Sequence, residues 1–432
     1  MTGLCLPDKA LVRAVQSLPD DSLSETRQAA LARFLERGFP TTRLEDWKYT
    51  DLKEVAEISR RWLEGGAIPA DTSALDTEIQ RICSSIDADW IVVANGVISP
   101  GVISSPGTSH PGNGITVSTY SESSLSPAFE VPLSDFNAAL LTDGLHIRVT
   151  ADAANDRPLG LLIIDGADGL PGVAQTRIGI EFDDGAKAQL IEYQVSLGEA
   201  DHYANAVVEL GIGNQADVDY VRVQNRADNH VQTHRTEARL GTRSVFRYSG
   251  FDLGGQLIRN DLDIEIGAPE AEVSIAGLYV AGDGQHIDNH VRIDHQTGPA
   301  RSTQEYRGIL GGQCRCVWNG KTIVRPGADG TDAEQANHNL LLSDRSEIDA
   351  KPELEIYADD VKCSHGTTVG QIDDNALFYL RTRGLDKKDA IRALTRAFGA
   401  SIVSRLAITE LVESLTAMVE ARLAELTESD SQ

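Results

Sequence analysis

Apolar positions change rhythm twice along these 432 residues. In the stretch from Ser24 to Arg37, Ala29, Ala30, Leu31, Phe34 and Leu35 fall near helical spacing, and Gly38 ahead of Pro40 predicts a stop. The next segment, Leu44 to Leu52, mixes polar and aromatic residues and reads as a loop that packs Trp47 and Tyr49 onto a domain.

From residue 88 onward, short β-branched runs alternate with Gly, Asp, Asn and Pro. Trp90–Ala94, Leu161–Ile164, Ala206–Leu210 and Val218–Val223 are predicted strands. Further on come Val273–Val280, His290–Asp294, Glu305–Leu310, Cys314–Trp318, Lys321–Val324, Asn339–Leu342 and Leu354–Tyr357. Turn signals separate them: Gly282-Asp-Gly284, Gly298-Pro299, Asn319-Gly320 and Gly327-Ala-Asp-Gly330. No 3.6-residue periodicity interrupts roughly the 150 residues before residue 370. A barrel, sandwich, propeller or β-helix would absorb so many brief strands. Their irregular lengths and the lack of a strict repeat favour a parallel β-helix over a sandwich, because each coil need only fit its neighbours.

After residue 370 the helical rhythm returns. Asp373 to Arg383 predicts a helix closed by Gly384, and Asp386 stands as the N-cap of the next. Ile391, Leu394, Phe398, Ile402 and Leu406 mark one face, and Leu411, Leu415, Met418, Val419 and Leu423 mark a second. The divisions are therefore 1–87 (helical region and linker), 88–370 (β core) and 371–432 (helical region).

Charge excludes more than it selects. With 39 basic against 65 acidic residues the net charge is −26, a surface that repels nucleic-acid backbones and anionic lipid. The start of the chain shows no secretory signal, and the run Leu159–Ile164 is too short to span a bilayer. Five scattered cysteines do not form a disulfide framework, which points to a reducing cytoplasm.

The sharpest local feature is Tyr357-Ala-Asp-Asp-Val-Lys-Cys-Ser-His-Gly366. Side chains alternate along a strand, so Cys363 and His365 share a face. Thiolate and imidazole are ligands that iron and zinc accept, but two of them do not complete a site, and the rest would come from another chain. Cys314 and Cys316 also share a face; as small hydrophobes they are expected to be structural. His230 with His234, and His286, His290 and His295, read as surface or turn histidines, since residues four apart on a strand stand ~13 Å apart. Asp359 and Asp360 point to opposite faces of an extended segment, which argues against a glycosidase pair. No phosphate-binding loop, nucleophile elbow or His-Glu-x-x-His motif is present, so any ATP is hydrolysed by another subunit.

The stretch Lys351 to Gly370, running on into Gln371-Ile-Asp-Asp-Asn-Ala-Leu-Phe-Tyr-Leu-Arg-Thr-Arg-Gly384, resembles the SufB/SufD family of iron–sulfur cluster assembly scaffolds, in its SufD branch. His286 to His295, Asn337 to Leu342 and Glu45-Asp-Trp-Lys-Tyr-Thr50 resemble other parts of the same family. The resemblance implies a mainly β fold: a right-handed parallel β-helix core flanked by N- and C-terminal α-helical domains. It implies a cytoplasmic scaffold with no enzymatic turnover of its own, working with a SufB-like scaffold protein and a SufC-like ABC-type ATPase that docks on the C-terminal helices. The isolated chain would hold no stable cofactor and can form a homodimer. A transient iron–sulfur cluster, or iron, would meet His365, and secondarily Cys363, at the interface with the SufB-like partner. Lys362-Cys-Ser-His-Gly366 stands where SufB proteins carry a Glu-His-Glu segment, which argues against SufB-specific roles such as flavin binding or being the main sulfur acceptor. The rivals are a purely structural subunit of that complex and a carbohydrate-active β-helix enzyme.

Overall fold

The computed structural model describes residues 6–67, 75–103, 114–120, 131–153, 157–166, 169 and 171–429. The amino-terminal rhythm folds as α1 (Asp8–Gln16), α2 (Ser24–Arg37), α3 (Lys53–Glu64) and α4 (Asp76–Ser85). Then follow β1 (Asp89–Ala94), β2 (Val97–Ile103), β3 (Ile115–Thr119), α5 (Pro132–Ala139) and β4 (Leu145–Val149). The long β stretch supplies β5 (Leu159–Gly166), β6 (Gly172–Phe182), β7 (Lys187–Leu197), β8 (His202–Ile212) and β9 (Asp217–Asn225). It continues as β10 (His230–Leu240), β11 (Val245–Asp252), β12 (Leu257–Ile266), β13 (Glu272–Ala281) and β14 (His286–His295). The last coils are β15 (Arg301–Leu310), β16 (Arg315–Val324), β17 (Asp332–Leu341), β18 (Glu347–Ile356) and β19 (Lys362–Gly370). Three helices close the chain: α6 (Asp374–Thr382), α7 (Lys387–Val403) and α8 (Thr409–Ser429).

From β5 on, odd-numbered strands stack in one sheet and even-numbered strands in a second, each parallel to its neighbours. That is a parallel β-helix, with helices at both ends of the chain, as the resemblance implied. Successive coils turn at equivalent corners, where Gly185, Gln215, Arg243 and Glu270 each take a positive φ. Asn214 ties three of these corners together: its backbone N–H donates to Asp184 (2.7 Å) and its side-chain oxygen accepts from the Thr242 N–H (2.9 Å).

The inward faces of the two sheets enclose a core that includes Ile178, Leu210, Val218, Tyr220, Ile264, Tyr279 and Trp318. A second cluster joins the outer face of the odd sheet to α4, α7 and α8 through Leu278, Ile309, Ile402, Leu411, Leu415 and Leu423. A third joins α1, α2, α3 and α5 to Tyr203, Val231 and Leu257 on the even sheet. Helices α7 and α8 thus pack on the solenoid wall, and Asp386 caps α7 by accepting from the Asp389 N–H (2.8 Å).

Three readings need correction. Asn319-Gly320 is not a turn: β16 runs straight through it, and position 320 is glycine because a side chain there would collide with the Trp318 ring. Asp359 and Asp360 lie in the turn after β18, not on a strand. His230, His234 and His295 are buried inside the solenoid, not on its surface. A solenoid interior accepts polar side chains because the strands around it supply their partners: His234 meets Glu192 at 2.8 Å, and His295 meets Ser302, across the turn into β15, at 2.8 Å.

Burial lowers the pKa of His202 to about 3, and those of His230 and His295 to about 4. A histidine depressed in the folded state gains a proton on unfolding. Its contribution is therefore complete above its ordinary range and is lost as pH falls from about 6.5 toward 4. The loss is on the order of 3 kcal/mol for each of His230 and His295. Urea midpoints followed by tryptophan fluorescence should fall steeply across that window, and a flat profile would contradict the neutral buried state.

Candidate functional site: the open end of the solenoid

The two ends of the β-helix differ. At the first, antiparallel strands close the sheets, β2 on β1 and β3 on β4. At the last, β18 and β19 have a parallel neighbour on one side only. No residue of either strand is buried, whereas most residues of β14 to β16 are. The final coil presents two edges and an unstacked cross-section, the arrangement that templates pairing with another chain.

Register decides which way the site residues face. Cys363 pairs with Ala333, which continues through Ser302 to Val273, all buried. His365 pairs with Gln335, which continues through Gln304 to Ile275, also buried. Both therefore point along inward columns, and His365 is exposed only because no coil covers it. The shared face expected from their spacing is the interior face of the solenoid. Ile348, Ala350 and Leu354 continue the opposite inward columns of Cys316, Trp318 and Thr322 on β18.

The two side chains differ in chemistry. Burial, with the Asp332 carboxylate adding to it, pushes the Cys363 thiol up. A raised thiol holds less thiolate at neutral pH, and the thiolate is the nucleophile and ligand. Alkylation of Cys363 by iodoacetamide at pH 7.5, mapped by mass spectrometry, should run several-fold slower than that of a free cysteine and climb with pH; equal rates would contradict the environment described. Cys314 and Cys316 are buried in the core, and burial raises the Cys316 thiol well above its usual range. Among the described residues no group of three or more His, Cys, Asp or Glu side chains is arranged to hold a metal ion.

Beside the mouth, Glu305 on the outer wall accepts from Arg405, between α7 and α8 (2.7 Å), and from Arg307 (3.0 Å). Arg307 donates in turn to the Phe398 carbonyl of α7 (3.0 Å). No residue of helix α6 is buried, and Phe378 is 69% and Tyr379 57% exposed.

A separate cavity of about 400 Å³ lies under Trp47 on the even sheet. Its guanidiniums already have partners: Arg235 with Asp263 (2.7 Å), Arg259 with Asp288 (2.6 Å) and Arg292 with Asp294 (2.9 Å). The segment holding Trp47 works as a strap. Arg259 stacks on the Trp47 ring, Thr50 donates to Asp288, and Glu45 pairs with Lys351 of β18 (2.8 Å). Packing of Trp47 was legible in the sequence; its buried ionic partners, well over two hundred positions away, were not.

Comparison with known proteins follows the same lines. Residues 162–398 match the family model described as SUF system FeS cluster assembly, SufBD core domain, and residues 11–60 match the SufBD protein N-terminal region. The iron–sulfur cluster assembly protein SufD of Escherichia coli (strain K12) is 29% identical over 408 residues, 93% of each chain. An iron–sulfur cluster assembly SufBD family protein of Synechocystis is 26% identical, over 96% of this chain and 94% of its own. One from Mycobacterium tuberculosis (strain H37Rv) is 31% identical, over 68% of this chain and 74% of its own. No described helix is long and apolar enough to cross a membrane.

Proposed function

Since the chain belongs to the SufBD family of SUF-system iron–sulfur cluster assembly proteins, we propose that it is a cytoplasmic, non-catalytic scaffold subunit whose open solenoid end docks on a SufB-like partner. The observation that carries this reading is the uncovered last coil, with Cys363 and His365 facing its lumen. A second parallel solenoid offers what that end lacks: strand edges for β18 and β19, and a coil to cover Leu354 and Ile348. Iron or a nascent cluster is the cargo of that junction, and the missing ligands come from the partner. His365 is the principal donor because its imidazole is open to the mouth, and Cys363 is secondary because its thiol resists ionisation. The same end can join two copies of this chain when no partner is present.

A SufC-like ABC-type ATPase docks on the C-terminal helices, where α6 offers Phe378 and Tyr379. ATP binding draws two such ATPases together, and the pull reaches the mouth through α7, Arg405 and Glu305. The junction then admits iron and sulfide to ligands that are shielded at rest.

The test is co-expression with SufB- and SufC-like partners, purification without oxygen, and assay of iron and acid-labile sulfide. His365→Ala should leave the complex assembled and lower both several-fold. Unchanged iron and sulfide would leave this chain a stiffening subunit, with its histidine a bystander.

A further inference from the structure

Gln335 occupies the inward position directly beneath His365, in the adjacent parallel strand of the same sheet. Neighbouring strands lie ~4.8 Å apart, so side chains in one inward column stand within reach of each other. The Gln335 amide crosses the lumen: its Nε2 donates to Thr322 Oγ1 (2.9 Å) and to the Glu353 carbonyl (3.0 Å). A backbone carbonyl only accepts, so the amide orientation is determined, and the remaining end is the carbonyl oxygen. That Oε1 is buried and has no hydrogen-bond partner. Room for it exists because β16 has no side chain opposite: a Cβ at Gly320 would lie 2.7 Å from Gln335 Oε1. The next rung does not fill the vacancy, since both amide ends of Gln304 are also unpartnered.

A buried carbonyl left unpaired costs about 1–3 kcal/mol, and a donor that reaches it recovers much of that. His365 carries such a donor and has a matching need. Its ring stands exposed in the free chain, but a partner coil over the mouth removes water from it. One ring N–H must then find an acceptor while the other nitrogen keeps its lone pair for a metal.

We propose that Gln335 is a positioning residue for His365: in the covered mouth its side-chain carbonyl accepts an imidazole N–H, selecting one tautomer and turning the other nitrogen toward the cargo. This rests on the reading of His365 as an iron donor, and the test separates the two. The chain, labelled with ¹⁵N only in its histidines, is assembled metal-free with unlabelled partners and studied by solid-state NMR. His365 should show a single tautomer in wild type and a mixture in Gln335→Met, with iron affinity, read by chelator competition, falling about 10- to 100-fold. A Gln335→Met complex that assembles and keeps the wild-type tautomer signal overturns the assignment. If that variant does not assemble, Gln335→Glu retains an acceptor oxygen, and a tautomer mixture there overturns it equally. Iron lost in His365→Ala, with the tautomer of Gln335→Met unchanged, removes Gln335 alone; iron retained in His365→Ala removes the parent reading, whatever the tautomer.

Discussion

Leu354→Lys is expected to leave the isolated chain folded and to abolish its association with a SufB-like solenoid. Leu354 continues the inward column of Thr322 but sits in the last coil, half-buried and without a coil beyond it. In the free chain a lysine there lays its methylenes along the lumen and keeps its ammonium in water. A docked partner would bury that ammonium against an apolar coil. If only about 3 kcal/mol of the burial cost survives local rearrangement, affinity falls more than a hundredfold. Light scattering on the chain alone and titration with the partner give the readout. Glu355→Lys, one position along and facing outward beside Lys321 and Arg325, is the control that should bind nearly as wild type. Undiminished association of Leu354→Lys would place the docking surface away from the open end.

The second large effect concerns α6. Changing Phe378 and Tyr379 together to Asp should eliminate co-purification of the SufC-like ATPase with little change in the thermal midpoint. No residue of α6 is buried, and substitutions on such a surface usually alter stability by about 0.5 kcal/mol or less. Exposed aromatic side chains, by contrast, are the residues that dominate binding energy when a partner covers them. A double variant that still retains the ATPase would move the docking site to α7 and α8. Truncation is a poorer instrument: Leu411, Leu415, Leu423 and Leu426 belong to the second core, and removing them would strip the outer wall of the odd sheet.

Much of this was legible without coordinates wherever the rule is local. Period-2 alternation put Cys363 and His365 on one face, and they share one. Asp386 was readable as an N-cap because capping involves only the next turn of chain. The strap residue Trp47 stood out as an aromatic in a polar stretch. Local rules also misled where coils stack. Asn319-Gly320 has the composition of a turn, yet Gly320 is small because Trp318 and Gln335 need its space. Histidines four apart on a strand read as surface or turn residues, whereas His234 is buried against Glu192, 42 positions away.

By itself, then, the sequence determined the alternation of helix, strand and helix, the parity of side chains along each strand, and that the thiol of Cys363 and the imidazole of His365 share a face. Tertiary structure decided that this face is the inside of the solenoid, that Gln335 lies beneath His365, and that the last coil is left open. Parity says which residues point the same way, but whether that way is inward depends on where the chain returns a full coil earlier. That return is selected by stacking between residues far apart in sequence, which no local pattern encodes.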